Sequence, residues 1–463
     1  MMTHDDLQRA VAHATAAEQS GLHRLMSYLR YPAISCDPAH HSDVRRLAAR
    51  VAADLGGELG FEARVLELPD ALPLVVAERR SQRNDAPWLL IYGHLDLQPV
   101  KGEAWTTPPH EPQIRDGRLF ARGAADDMGG WVSHFIALQA WLATCNDLPL
   151  NVRLVIEAEE EIGSPNLERY MDQFPEAFAA DVMVLTDCEN PSTEIPGLTV
   201  SLRGLYEVEL SCHALTHDVH SGLWGNMAPD AGTALIKLLA RLLDDDGRMK
   251  LGRQEVPSTW RTAARSVPID DAVIRQGAHL RDDVNPLPAH DRPAVEWLWR
   301  QPAVTVLSTT FPQADQHKNA LRQRASAVLS VRLAPGQTKQ QMRALLEQEL
   351  LEPPMPGVHT ELTERSGGAE SWLYEPKGPA FEAANRAYLQ AWGKPLLQVG
   401  VGGSIPFVAL FGRRYGNLPL ILNGVMDPQT GAHGPDESLS LAVFNKAILA
   451  NVHLLFELSQ VKL

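Results

Sequence analysis

The sequence predicts an α/β domain with a mixed sheet, interrupted by a smaller ferredoxin-like α+β domain. Three observations lead there. The chain has 463 residues, more than one hydrophobic core usually serves, so two domains are expected. Its N-terminal part alternates helical stripes with short apolar runs such as LLIY at 89–92, as strands buried on both faces of a sheet require. Beyond Pro196 the pattern changes to half-exposed alternation, as in LTVSLRGLYEVELSCH at 198–213, which suits an antiparallel sheet with one wet face.

Taken in order, residues 3–30 read as helix. A second helix follows, with Ser42 as its N-cap, Val44, Leu47, Val51 and Leu55 as its apolar stripe, and Gly56-Gly57 as its end. Strands are expected at 61–68, 74–78 and 88–92, a helix at 129–144, and strands at 152–156 and 182–185. The second domain opens on the 198–213 strand and a helix at 229–243, with Leu235, Leu238, Leu239 and Leu242 at helical spacing. Strands near 304–311 and 325–333, a helix near 338–351 and a strand near 359–365 complete a β-α-β-β-α-β order. The segment 244–301 lies inside it. Its weaker periodicity, its DDDG run and its scattered Arg and Pro mark an insertion. Helix returns at 381–392 and buried strand at 418–422. The expected domains are therefore 1–197 together with 373–463, and 198–372.

Composition narrows the function. Hydrophobic residues make up 44% and charged residues 21%, ordinary for a soluble globular protein. The net charge of −15 argues against nucleic acid or an anionic membrane as partner, because either needs a basic face. A small anionic ligand stays compatible, since one Arg in a pocket binds a carboxylate. Cys36, Cys145, Cys188 and Cys212 are scattered, form no CxxC pair and read as reduced thiols. The start MMTHDDLQRA has no basic segment followed by an apolar run. No unbroken run of about 18 apolar residues occurs. The expected location is cytoplasmic.

Five stretches concentrate acids and histidines at strand ends or in Gly-bounded loops, where open α/β sheets carry their sites. In LLIYGHLDLQP, His94 and Asp96 sit two apart, on one side of a strand end. His94 suits a metal and Asp96 suits its support; a polar cap is the plain alternative. In LFARGAADDMGG, Asp127 suits the N-cap of the following helix, which frees Asp126 to offer both oxygens to two metal ions. In VIEAEEEIGS, Glu157, Glu159, Glu160 and Glu161 follow a buried strand. Like charges so close need a compensating cation, or else a solvated loop. Adjacent glutamates can divide the work, one binding metal and the other acting as general base. Asp187 in MVLTDCEN and His433 in NGVMDPQTGAHGPDE complete a nitrogen–oxygen set that zinc accepts.

In the order YGHLD, GAADD, EEEIGS, TDCEN, HSGLWGN, SVRLAP, GGSIP and GAHGPDE, the motifs resemble the di-zinc peptidases and deacylases. That family includes carnosinase-type and cytosolic non-specific dipeptidases, aminoacylases, glutamate carboxypeptidases and succinyl-diaminopimelate desuccinylases. The dipeptidase branch is the most similar. The resemblance implies a zinc-peptidase catalytic domain with an inserted lid and dimerisation domain, and two Zn2+ per subunit, with Mn2+ or Co2+ as alternatives. It implies that Asp126 bridges both ions, that His94 and Asp187 complete one site, and that Glu161 and His433 complete the other. Glu160 is then the general base, Asp96 supports His94, and the bond after Asp126 is often cis. His220 in HSGLWGN is expected to reach the reacting carbonyl, in the dipeptidase branch from the partner of a homodimer. Arg332 in SVRLAP is expected to bind the substrate carboxylate, a task its forked guanidinium suits. Gly403 and Ser404 in GGSIP and Asn319 are expected to line the same substrate site.

Three departures from the family pattern stand out, and the third bears on the substrate. Met128 stands where many relatives have Lys, and Leu321-Arg322 where Ile-Pro often follows the Asn. Gly400-Val401 precede GGSIP where the dipeptidase branch often has Arg-Glu. A missing carboxylate there weakens capture of a free amine. The expected substrate is a small peptide, with an N-acyl or N-carbamoyl amino acid as the alternative. A metal-dependent binding protein without catalysis is the rival from another class.

Overall fold

The computed structural model describes residues 2–463 except 313, 314, 316, 366, 367, 404, 405 and 417, together with the side chains of Pro406 and Ala409. The chain forms two compact units, Met1–Val200 with Glu375–Val399 and Leu410–Leu463, and Ser201–Tyr374 with Gly400–Ala409.

The first unit is built on a six-stranded sheet. Its order is Glu62–Leu66, Leu74–Arg79, Asn151–Glu157, Trp88–His94, Val182–Leu185 and Leu420–Leu422. The first two strands run antiparallel, and the last four are mutually parallel. Every residue of Asn151–Glu157 and Val182–Leu185 is buried, which accounts for their unbroken apolar or paired character. Parallel strands end on the same edge of a sheet, so the residues following Trp88–His94, Asn151–Glu157 and Val182–Leu185 gather there.

Helix Met128–Cys145 is apolar nearly all round and buried over most of its length. Trp131 stacks on Tyr28 with centroids 5.5 Å apart, and the Trp141 indole donates to Val452 O at 3.1 Å. Helix Leu441–Ser459 is long and apolar enough to cross a bilayer by length and composition. Here it is a core helix, packed along Pro379–Trp392, Met128–Cys145 and His4–Ala16. Residues 3–30 form two helices, His4–Ala16 and Glu18–Tyr28. The next helix, His41–Leu59, begins before Ser42 and runs through Gly56 and Gly57. It ends instead at Gly60, where φ of 65° turns the chain left-handed.

The second unit has a four-stranded antiparallel sheet, ordered Ala303–Thr309, Arg324–Leu333, Gly204–His213 and His359–Glu364. Numbered along the chain this is 2-3-1-4, the ferredoxin-like arrangement. The 198–213 stretch is two strands, Gly197–Leu202 and Gly204–His213, broken at Arg203. Tyr206, Val208, Leu210 and Cys212 alternate inward against Leu235 and Leu238 of helix Ala231–Arg241 and Met342, Leu346 and Leu350 of helix Lys339–Leu350. Asp230 and Thr338 cap these helices through the N–H groups of Thr233 and Gln341.

The 244–301 segment carries three short helices, Ser258–Ala264, Asp271–Gly277 and Ala294–Trp299. Beside a few buried apolar residues, Val256, Ala264, Val267 and Val295, it holds a charged cluster. The guanidiniums of Arg248, Arg292 and Arg253 lie 4.4, 5.1 and 5.2 Å from the Trp297 ring. Fully buried Glu296 pairs with Arg261 and Arg292. Its last turn abuts the glycine loop, for a Cβ on Gly400 would stand 2.7 Å from Trp299 Cβ.

Candidate active site

The strand edge of the first unit holds a cluster of acids around two histidines. His94 ends its strand with no exposed surface. Its Nδ1 faces Asp96 O at 3.2 Å and Asp96 Oδ1 at 3.5 Å, and its Nε2 faces Asp126 Oδ1 at 3.1 Å and Asp187 Oδ2 at 3.8 Å. The other oxygen of Asp126 faces His433 Nε2 at 3.0 Å, and that nitrogen lies 3.2 Å from Glu161 Oε2. Asp126 thus stands between two histidines, one on each oxygen. The Asp126–Asp127 peptide is cis.

The four acids from the last residue of Asn151–Glu157 onward divide among different partners. Glu157 accepts from the Tyr92 and Ser164 hydroxyls. Glu159 accepts from Leu72 N and the Asn166 amide. Only Glu160 and Glu161 turn to the cluster, because Asp96 accepts both their N–H groups, at 3.2 and 3.1 Å. The fully buried Asp96 therefore holds this loop as well as flanking His94. Gln98, which the sequence reading passed over, donates to Glu161 Oε2 at 2.7 Å.

Asp127 departs from expectation. It stands at the N-cap position of Met128–Cys145 but makes no side-chain cap bond. Its carboxylate accepts from Thr186 Oγ1 at 2.6 Å and His94 N at 3.2 Å instead. A Cβ on Gly93 would stand 2.5 Å from its Oδ2, so the glycine leaves room for it there, and the carboxylate braces the strand ends at His94 and Thr186.

The electrostatics call for cations. Asp126, Asp127, Glu160, Glu161 and Asp187 outnumber two imidazoles. Burial pushes the Asp187 carboxyl up to about 7, helped by the charge of Asp126. Burial likewise raises Glu160, with Asp187 and Glu161 adding to it, and raises Glu161 with Asp126. His433 rises to about 11 beside Asp126 and Glu161. Burial opposes charge on His94, but Asp126 and Asp96 overcome it. Such a set of raised acids and raised bases marks a site built to exchange protons for metal.

The donor atoms fit that role. His94, Glu160 and Asp187 form one group and Asp126, Glu161 and His433 another, each with its ligand atoms within 4.8 Å of one another. Tetrahedral zinc with bonds near 2.1 Å spaces its ligands about 3.4 Å apart. The nitrogen–oxygen separations of 3.0, 3.1, 3.2 and 3.8 Å bracket that value.

The remaining expected residues lie in the second unit. Val219–His220 pairs with Ala320–Leu321, which places Asn319 beside His220; Asn319 O accepts from Ser221 N at 3.0 Å. His220 is exposed and its Nδ1 accepts from Gly222 N. Arg322, in the divergent Leu321-Arg322 pair, binds Asp218 at 3.0 Å. Arg332 lies opposite Leu205 and Ala303 in the sheet, and its guanidinium is close enough to Arg203 for the two charges to interact. Arg203, not singled out from sequence, donates from Nε to Gly402 O at 2.9 Å next to Gly403. Ser404 lies outside the described residues.

Two histidines and a shared aspartate among further acids, at the parallel strand ends of a mixed sheet, define a metal-dependent hydrolase. Residues 90–457 match the model of Peptidase family M20/M25/M40, and the chain belongs to that family. It is 30% identical over 418 residues, 90% of each chain, to a cysteinylglycine-S-conjugate dipeptidase of Corynebacterium striatum. It is 26% identical to the β-Ala-His dipeptidase of Homo sapiens, over 86% of this chain and 79% of that one. Among solved structures, human carnosine dipeptidase 1 superposes with a TM-score of 0.74 at 21% identity, covering 98% and 100% of the two chains. An M20 family metallo-carboxypeptidase from Sulfolobus solfataricus gives 0.75 at 24% identity, covering 95% and 99%.

Proposed function

We propose that the protein is a two-zinc, dipeptidase-like amidohydrolase that cuts the amide bond of a small peptide carrying a free carboxylate. The observation that carries this reading is Asp126, with one oxygen toward His94 and the other toward His433. Asp126 would bridge two ions, His94 and Asp187 would hold the first, and Glu161 and His433 the second. When bound, the ions would lower the pKa of a water and polarise the amide carbonyl.

The chain's own residues do the rest. Glu160, presented by Asp96, takes the water's proton on its carboxylate and later returns it to the leaving nitrogen. His220 stabilises the tetrahedral oxyanion. Arg332 binds the substrate carboxylate with Gly403, Ser404 and Asn319 around it. The relatives named as dipeptidases support the substrate class.

The same reading makes the protein a homodimer through its second unit, with His220 acting across the dimer. Around His220, Leu223 is 73%, Trp224 54% and Met227 85% exposed, an apolar surface that a partner would cover.

A second reading, deacylation of N-acyl or N-carbamoyl amino acids, is favoured by Gly400-Val401. Trp299 fills the space a side chain at 400 would need, and Val401 offers no carboxylate to a free amine. Assays of matched dipeptides, β-alanyl peptides, N-acetyl and N-carbamoyl amino acids on zinc- and manganese-loaded enzyme test both. Turnover of dipeptides alone supports the first reading, turnover of the blocked amino acids alone supports the second, and no turnover by any loaded form overturns both.

A further inference from the structure

Arg122 and Glu437 stand outside the ligand set and have no part in the proton transfers above. Both are buried, at 1% and 0% exposed. Burying an ion pair carries a desolvation cost that only well-made contacts offset, so what each group touches is informative.

Glu437 gathers the loop that ends in Asp126. Its Oε2 accepts from Arg122 and from Gly123 N, both at 3.1 Å, and its Oε1 accepts from Ala125 N at 3.2 Å and Asp126 N at 3.3 Å. Arg122 reaches the other way. Its guanidinium donates to Gly434 O at 3.1 Å and His433 O at 3.3 Å, and is steadied by Glu103 at 3.0 Å. The pair therefore ties the backbone of one ligand residue to that of another, more than 300 positions apart.

His433 needs such a tie. It sits at φ 64°, a left-handed conformation that residues other than glycine seldom adopt. Its side chain is 57% exposed, so its backbone, more than surrounding packing, must aim the ring. His94 and Asp187 differ, because they follow central sheet strands braced by Asp127.

We propose that the Arg122–Glu437 pair is a positioning device that holds Asp126 and His433 at the separation from which both reach one metal ion, the one they would share with Glu161. This rests on the two-metal reading above. Neither side chain touches substrate or metal; both act through the backbone of ligand residues. The consequence is asymmetric. Loss of the pair misaims two ligands of one ion, Asp126 and His433, but only the shared Asp126 of the other, which keeps His94 and Asp187.

The test uses the full chain, stripped with chelator and titrated with Zn2+ or Co2+. Glu437→Gln replaces one accepting oxygen with a donor that must face N–H groups. Arg122→Lys keeps the charge but loses the fork. Wild type is expected to bind two ions. Each variant should bind the second ion 10–100-fold more weakly, the usual effect of removing support from a metal ligand, and the first, which keeps His94 and Asp187, by a clearly smaller factor. The cobalt absorption of the first site should change less than that of the second, and excess metal should restore kcat with KM unaltered. Equal weakening of both ions without metal rescue, or wild-type affinity for both, would overturn the inference. If Glu437→Gln does not fold, Glu103→Gln takes its place. It should weaken the second ion more than the first, and unchanged binding of both would count against the inference. A wild-type chain that binds fewer than two ions would instead overturn the two-metal reading itself.

Discussion

Replacing Glu160 by Gln separates two roles that geometry brings close together. Glu160 lies with His94 and Asp187 in one group of ligand atoms within 4.8 Å of one another, yet it is assigned here as the proton carrier. Gln keeps the size and the backbone bond to Asp96 but takes no proton. A positioned general base is worth about 10²–10⁴ in rate, or about 3–5 kcal/mol of barrier. Glu160→Gln should therefore lower kcat by about that factor while both ions stay bound. The pH profile adds a second signature. Without metal, burial and the charges of Asp187 and Glu161 hold the Glu160 carboxyl well above its ordinary range. Bound cations pull it down again. A base must be unprotonated to act, so wild-type kcat/KM should rise with pH on its acidic limb. The variant's residual rate should lack that limb. Turnover on a matched dipeptide, with metal content by elemental analysis, reads both. A variant within tenfold of wild type, or one that loses an ion, would refute the assignment; the second result would make Glu160 a ligand.

Chelation should destabilise the protein more at high pH. Asp187, raised to about 7 from 3.8, and His433, raised to about 11 from 6.5, bind protons more tightly in the folded metal-free state than in the unfolded chain. Their contribution is full below the unfolded values and is lost as pH climbs through the folded ones. The Tm gap between loaded and chelated protein should widen from about pH 5.5 to about pH 8.5, because metal replaces those protons; a constant gap would contradict the argument. Gly424→Ala should cost about 1–3 kcal/mol and weaken metal binding, since its Cβ would meet Cys188 O at 2.3 Å and Thr186 O at 2.4 Å, on both sides of Asp187. Urea unfolding at wild-type denaturant concentrations would dismiss that clash. Leu223→Asp combined with Met227→Asp should give a monomer in sedimentation and lose activity in parallel; a dimer of normal activity would place the contact elsewhere.

The parallel strands were legible because each is buried on both faces and so carries a largely apolar run, broken inside Asn151–Glu157 only by Arg153, which pairs with Glu78. Element ends were less so. Ser42 looks like an N-cap and Gly56-Gly57 like a stop, but the left-handed turn at Gly60 decides where that helix closes. The break at Arg203 was hidden within one continuous alternation. The 244–301 helices lacked an apolar stripe because Trp297 is packed among Arg248, Arg253 and Arg292 and Glu296 pairs with Arg261 and Arg292, contacts that no helical periodicity announces. At the site, His94 and Asp187 could be picked out by residue type and strand-end position, and Asp126 and His433 by residue type in Gly-bounded loops. The division among four adjacent glutamates could not, since distant partners set it: Tyr92 for Glu157, Leu72 and Asn166 for Glu159, and Asp96 for the loop of Glu160 and Glu161. Asp127 read as a cap and proved a brace, because its partners, Thr186 and the His94 N–H, come from two other strand ends.

Anomalous diffraction from crystals loaded with Zn2+ addresses the central claim most directly. Two peaks should flank the Asp126 carboxylate, one against His94 and Asp187 and the other against Glu161 and His433. A single peak, or metal held by other side chains while Asp126 contacts none, would contradict it.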